Sequence, residues 1–289
     1  MTDYMLLLVT DYRSLITEGG RGMKVPTRCI LVMLCLAAIL AASPMWAAEE
    51  QDKTELAKKL QNPVADLISV PFQNNFNFGV GPEDKMQYVL NVQPVIPQHL
   101  TEQWNWIHRA IIPPIDQPAP VNEFGLGDIQ YQGFLSPAKP DKLIWGVGPV
   151  LQVPSATDSQ LGTEKWSAGA GAVALRMDGP WVYGALVNNI WSFAGDDDRA
   201  NVNQMLIQPF INYNLGRGLA IGTSPIITAN WEAPSGQKWT VPLGAQISQI
   251  IPIAKVPVNF LLGAYYNVEK PDNGPDWSIR FQIALLFPK

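Results

Sequence analysis

Few side chains in this 289-residue sequence are of types that do covalent chemistry. Its two histidines are His99 and His108. A lipid-cleaving or acyl-transferring site would need one of them beside a serine nucleophile, with a third group to orient the ring. His99 stands in the turn-like string PQHLTEQ, and His108 lies in a strand-like run beside Arg109, with no serine at a matching place on a neighbouring run. No catalytic residue is therefore assigned, and the chain is not expected to be an enzyme. The triplet Asp196, Asp197 and Asp198 offers hard oxygen ligands, but three consecutive acids point in different directions and suit a solvated loop tip. Asp272, Asn273, Gly274 and Asp276 resemble part of a calcium loop without its ligand spacing or closing Glu, and Asn-Gly is ordinary turn chemistry. No metal and no cofactor is expected.

Arg280 is different in kind. It falls within WSIRFQIALLF, where Trp277, Ile279, Phe281, Ile283, Leu285 and Phe287 form one uninterrupted apolar register and Arg280 belongs to the other. Strict period-2 alternation with aromatic residues at both limits describes a strand with one face in hydrocarbon. An Arg on that face at mid-depth would cost about 2–4 kcal/mol, so Arg280 must point inward. There it could attract an anionic group in transit or pair with an acid to brace the wall. Ten residues separate Trp277 from Phe287; at ~3.3 Å per residue and a tilt of roughly 40° they span about 25 Å, the height of an outer-membrane apolar band. Trp181 and Trp191 repeat the interval, so all four are candidates for the aromatic girdles.

The elements that must position these residues follow from composition and alternation. Only 16% of residues are charged, 47% are hydrophobic, the net charge is −5, and mean hydropathy is +0.03. That balance suits strands apolar on one side only and does not suit a helical membrane protein. The scattered acids and the lack of a basic stripe exclude a nucleic-acid partner. The apolar run from Cys29 to Ala42, behind Lys24 and Arg28 and ahead of ASPMWAA, reads as a secretory signal spanning 23–48, cleaved within Ala47 to Glu49; residues 1–22 then read as an over-extended start. Both cysteines, Cys29 and Cys35, fall inside that signal, so disulfides, thiol catalysis and thiolate metal sites are excluded from the mature chain. Residues 49–70 follow as a short N-terminal helix, interrupted at Pro63, or as a disordered leader.

From residue 71 the pattern predicts an all-β antiparallel transmembrane barrel of about 12 strands: 72–80, 86–96, 104–112, 124–135, 143–153, 166–176, 181–193, 202–215, 218–229, 238–248, 256–268 and 277–287. An even number puts both termini in the periplasm. The tight turns MDGP and GRG and the Pro-rich SPAKPDK then fall on that side. The longer strings PPIDQPAPVNE, PSATDSQLGTEK, FAGDDDRAN and EKPDNGPD fall outside. The more polar registers yield the pore-lining candidates Arg280, Gln282, Asn259, Asn267, Gln208 and Asn212, with Arg176 a weaker one near a turn. Ser167, Gly169 and Gly171 oppose Ala168, Ala170 and Ala172, so both faces of that strand are small; this fits strong curvature, or close approach to something inside. Prolines 94, 149, 209, 225 and 242 predict bulges or strand ends.

The strings GLGDIQ and FLSPAKP, then LIWGVGPVLQVPSATD, GPWVYGALVNNIWS and PDNGPDWSIRFQIALLFPK, occur in that order. Together, over the stretch from about Leu56 to the end, the chain resembles a proteobacterial outer-membrane family named for the meta-pathway of phenol degradation. Its members are usually labelled transporter and sometimes, misleadingly, neuromedin U. The last strand is also similar to the sorting signal read by the barrel assembly machinery, though Pro288 and Lys289 follow its terminal Phe. The resemblance implies an outer-membrane channel or transporter in a Gram-negative bacterium, passing small organic molecules, aromatic compounds among them. Outer-membrane lipid and the assembly machinery are its implied partners. The competing reading is a closed structural barrel whose outer loops, especially Pro113 to Glu123 and Ala194 to Asn201, contact partners; a lipid-active enzyme using His108 is the third.

Overall fold

A computed structural model of the chain describes residues 47–254 and 256–288. The expected early start and the signal segment up to Trp46 lie outside the described residues. Helix α1 (Ala47–Leu60) opens the described chain, with Lys58 and Lys59 in its last turn, where cations complement the helix dipole. It stops short of Pro63, which cannot continue a helix. Of the two expectations for residues 49–70, the helix is the one the structure bears.

Every remaining element is a strand of one antiparallel sheet. Eight barrel staves are continuous: β1 (Ile68–Val80), β8 (Ile144–Val153), β9 (Lys165–Asp178), β10 (Trp181–Gly195), β11 (Asn203–Gly216), β14 (Trp239–Ile253), β15 (Val256–Glu269) and β16 (Trp277–Phe287). Four more are each broken into two segments: β2 (Lys85–Val92) with β3 (Val95–His99), β4 (Trp104–Ile111) with β5 (Pro114–Gln117), β6 (Glu123–Leu126) with β7 (Ile129–Pro137), and β12 (Leu219–Thr223) with β13 (Ile227–Asn230). Sixteen segments thus make twelve staves. The sheet closes where β1 pairs with β16, from Ile68↔Phe287 to Phe78↔Trp277, leaving no edge to recruit another chain. The chain is an all-β closed barrel of twelve antiparallel strands, with the boundaries that period-2 alternation predicts to within a few residues.

Three of the four breaks have a common cause. Proline cannot donate to a ladder. Pro94 separates β2 from β3, Pro113 separates β4 from β5, and Pro225 separates β12 from β13. Pro209 stays inside β11, paired with Ala185, and it faces the gap between β12 and β13 on its other side. Pro149 lies where the β7–β8 ladder skips from Gln132↔Val150 to Leu135↔Val147, and Pro242 marks a bulge against β15.

Turns at the end where the chain enters β1 and leaves β16, the terminal end, are the tight ones. Residues 179–180 join β9 to β10, and Arg217–Gly218, both at positive φ, join β11 to β12. Connections at the far end are mostly longer. The string Pro113 to Glu123 is less of a loop than expected: β5 and β6 continue their staves, and only residues 118–122 turn. In Ala194 to Asn201, likewise, β10 extends through Gly195.

Sidedness is plain in β10, where Trp181, Tyr183, Val187, Trp191 and Phe193 are exposed on the outer surface and Val182, Leu186, Asn188 and Ile190 are buried inside. In β16 the inward set Arg280, Ala284 and Leu286 is buried. Inside, two different environments share the inner face. Ile107, Phe134, Val173, Leu175, Val182, Leu186 and Phe210 form one apolar cluster with Val64, from the segment between α1 and β1. Pairing sets Leu186 beside Gln208 and Val182 beside Asn212, so this cluster and the polar wall are neighbours within the lumen. Of the two expectations for the small residues of β9, close approach is visible at Gly171, and Gly146 of β8 shows the same. A Cβ on Gly171 would lie 3.2 Å from the Phe134 ring, and one on Gly146 would meet Val64 at 2.9 Å.

Candidate functional site

Between α1, the segment after it and the polar half of the inner wall lies a cavity of about 170 Å³. Its floor is α1 and the chain that follows: Ala57, Ala65 and Leu67 pack on Ile250, Ala284 and Leu286. Gln61 and Asn214 exchange amide hydrogen bonds of 3.0 and 3.2 Å, which fasten this segment to β11.

Arg280 is the central side chain of the wall, 7% exposed. Its partner on one side in the ladder is Asn75, whose Oδ1 accepts from Nε at 3.4 Å; its partner on the other side is Gly263. With no side chain on Gly263, the Tyr265 ring folds across that position, where a Cβ would come within 3.0 Å of it. The guanidinium carbon then sits 4.8 Å from the Tyr265 ring centroid, at cation–π distance. Its Nη1 donates to the carbonyl oxygen of Ser224 at 2.9 Å. That carbonyl is available because Ser224 lies in the gap opened at Pro225, outside any ladder. The other polar groups of Ser224 are matched too: its N donates to the Tyr265 hydroxyl (3.2 Å), and its Oγ accepts from Gln208 Nε2 (2.9 Å). The Tyr265 hydroxyl donates to Gln246 Oε1 at 2.8 Å, and Gln246 Nε2 to Asn212 Oδ1 at 3.3 Å. A backbone break that would otherwise leave buried donors and acceptors unmatched is thus absorbed by one arginine, one tyrosine and three amides.

Of the six pore-lining candidates, Arg280, Gln282, Asn259, Gln208 and Asn212 line this cavity. Asn267 does not. Its side-chain amide donates to the Pro275 carbonyl at 2.7 Å in the far-end loop, so it shares their face but not their depth. Arg176 also departs from the expectation: it lies exposed on the outward register of β9, beside the turn at the terminal end. The acid expected as the structural partner of Arg280 is replaced by Asn75, the Ser224 carbonyl and the Tyr265 ring. Residues that alternation passed over complete the wall, notably Gln73, Gln93, Gln246 and Arg109. Arg109 donates through Nη2 to Gln93 Oε1. Its signal was parity, since it shares a register with buried Ile107 and opposes His108.

The four aromatics expected in girdles sit in two levels. Trp181 and Phe287 lie at the terminal end, Trp181 edge-on to Tyr213 at 4.8 Å; Trp191 and Trp277 lie at the far end, where Trp277 stacks on Phe78 at 4.2 Å. His108 has both ring nitrogens engaged, by the Tyr131 hydroxyl at 2.9 Å and Gln98 Oε1 at 3.0 Å. His99 lies 3.2 Å from Asp66 at the terminal end. In the far-end loops Asp196 Oδ1 accepts from the Asp198 backbone, and Lys270 binds Asp276 at 3.1 Å and the Gly274 carbonyl at 2.8 Å. Among the described residues no group of three or more His, Cys, Asp or Glu is placed to hold a metal ion.

The fold is similar to that of an outer-membrane channel from Pseudomonas putida F1, at 15% identity over 76% of this chain and 94% of that one, with a TM-score of 0.55. Outer membrane phospholipase A from Escherichia coli is a looser match, at 13% identity over 82% and 98% of the two chains and a TM-score of 0.41. At these identities the likeness is one of fold. No protein-family model matches the chain, and neither does any curated protein.

Proposed function

We propose that this chain is a channel of the Gram-negative outer membrane that passes small organic molecules by passive or facilitated diffusion, aromatic compounds among them. It reaches that membrane after cleavage of a signal peptide and is inserted by the assembly machinery through its last strand. The observation that carries the reading is a closed twelve-stave barrel with an apolar outer face and a built polar cavity inside it. Barrels of about eight strands are filled by their own side chains, and those of sixteen to eighteen leave an aqueous channel, so twelve staves enclose a lumen of intermediate width. The amide-rich wall suits polar and weakly amphipathic solutes. The family resemblance carried by strings such as GPWVYGALVNNIWS supports the same assignment.

One observation favours the second reading, a closed barrel acting through its far-end loops: the apolar cluster around Phe134 and the segment holding Val64 occupy much of the interior. Reconstitution separates the two. The full mature chain in liposomes is expected to admit small neutral aromatics in a swelling assay and to show a small conductance in planar bilayers. Absence of both, with the barrel shown to be folded by its heat-modifiable migration in gels, overturns the channel reading and leaves the closed one.

A further inference from the structure

The cavity is lined by three cationic side chains, Arg109, Arg280 and Lys59, and by no carboxylate. Among the described residues no Asp or Glu lies within ion-pair distance of Arg109 or Arg280. A guanidinium carries five N–H donors. Arg280 spends two of its groups on Asn75 and Ser224, and Arg109 one on Gln93. Taking a cation out of water without a counter-charge is costly, so two such groups on one small cavity mark a place where negative charge is strongly favoured. The rest of the wall has a second character: Phe210, Leu261, Val95 and Leu67 supply apolar surface. A volume of about 170 Å³ is comparable to the roughly 150 Å³ that accommodates one benzene ring in a protein interior.

We propose that this cavity is a binding site for an organic monoanion built from one carboxylate and one ring or short alkyl chain, its carboxylate held by Arg280, with Arg109 adding positive charge to the same cavity, and its apolar part against Phe210 and Leu261. The site deepens the channel reading, on which it rests in treating the bound molecule as one in passage. Arg is the side chain suited to this task, because its planar fork engages both oxygens of a carboxylate. The fixed posture of Arg280, held by the Tyr265 ring and the Ser224 carbonyl, aims the fork before any ligand arrives, which lowers the ordering cost of binding.

Calorimetric titration of the full mature chain in detergent, with sodium benzoate, benzamide and sodium acetate as the probes, tests the assignment. Benzoate is expected to bind at least about tenfold more tightly than benzamide, its neutral counterpart, because a charge-assisted contact is exchanged for a neutral one. Benzoate is also expected to bind more tightly than acetate, because acetate lacks the ring. Arg280→Gln narrows the benzoate-to-benzamide ratio toward one, and Arg280→Lys restores part of it. Equal binding of benzoate and benzamide by the unmodified chain overturns the proposal without recourse to any variant. Equal binding of benzoate and acetate overturns the assignment of an apolar moiety. The two readings fail separately: liposomes permeable to benzamide with no preference for benzoate sink the anion site alone, whereas measurable benzoate binding by a barrel that passes no solute sinks the channel alone.

Discussion

At the scale of single residues, the interior is organised by how the break at Pro225 is repaired. Tyr265 is 3% exposed and serves Ser224 N and Gln246 Oε1 through one hydroxyl while its ring backs Arg280. Tyr265→Phe keeps the ring and deletes the hydroxyl, leaving one donor and one acceptor unmatched in the wall. The expected cost is about 1–3 kcal/mol, read as a lower midpoint in urea for reversible unfolding from lipid bilayers. A variant as stable as the parent would show that the hydroxyl bonds are incidental. The inward placement of Arg280 was legible in the sequence, because an apolar register of six residues left it no other side. Its neighbours were not legible in the same way. Asn74 is an amide on the outward register of β1, matched by the Tyr88 hydroxyl at 2.7 Å and by the Phe281 carbonyl, so amide character alone does not report the lumen in the first staves. Asn267 shows the complementary gap: alternation gives a face, whereas depth depends on where the loop after β15 folds back.

At the scale of elements, the twelve staves were readable because outward registers are largely apolar and most inner faces are smaller or more polar. The reading weakens where both faces are apolar. Along β9 and β10 the inward Val173, Leu175, Val182 and Leu186 are as hydrophobic as the outward residues, because they pack with Phe134 and Phe210 of nearby staves. An inner apolar cluster erases the contrast on which strand sidedness rests. The outward register of β10 provides a direct test of membrane depth. Val187 stands between Trp181 and Trp191, whereas Tyr183 is close to the turn at the terminal end. Val187→Arg is expected to destabilise the barrel by about 2–4 kcal/mol and Tyr183→Arg by about 0–1 kcal/mol, in the same unfolding assay. Equal costs at the two positions would remove the assignment of this face to the bilayer core.

At the scale of the whole molecule, the apolar cluster around Phe134 and the polar, cationic cavity share the interior, with the segment after α1 contributing Val64 to the one and Ala65 and Leu67 to the wall of the other. Val64 seats against Gly146 and the Phe134 side, Ala65 and Leu67 join Ile250, Ala284 and Leu286, and Gln61 is tied to Asn214. The segment forms the floor of the cavity, and under the proposed channel function its position sets what the lumen can pass. β1 is already locked to β16 from Ile68 onward, so the wall closes without any residue of the segment. Removing residues 49–66 is therefore expected to leave a folded, inserted barrel and to raise single-channel conductance by roughly twofold or more, since side chains that fill part of the lumen are taken away. Restoring the full chain with Val64→Asp should give an intermediate conductance, because a carboxylate cannot stay among Ile107, Phe134 and Val173 and the segment must lift away from them. Conductance unchanged by the deletion, in a barrel that still migrates as folded, would mean that the staves' own apolar side chains, and not the segment, set the width of the lumen.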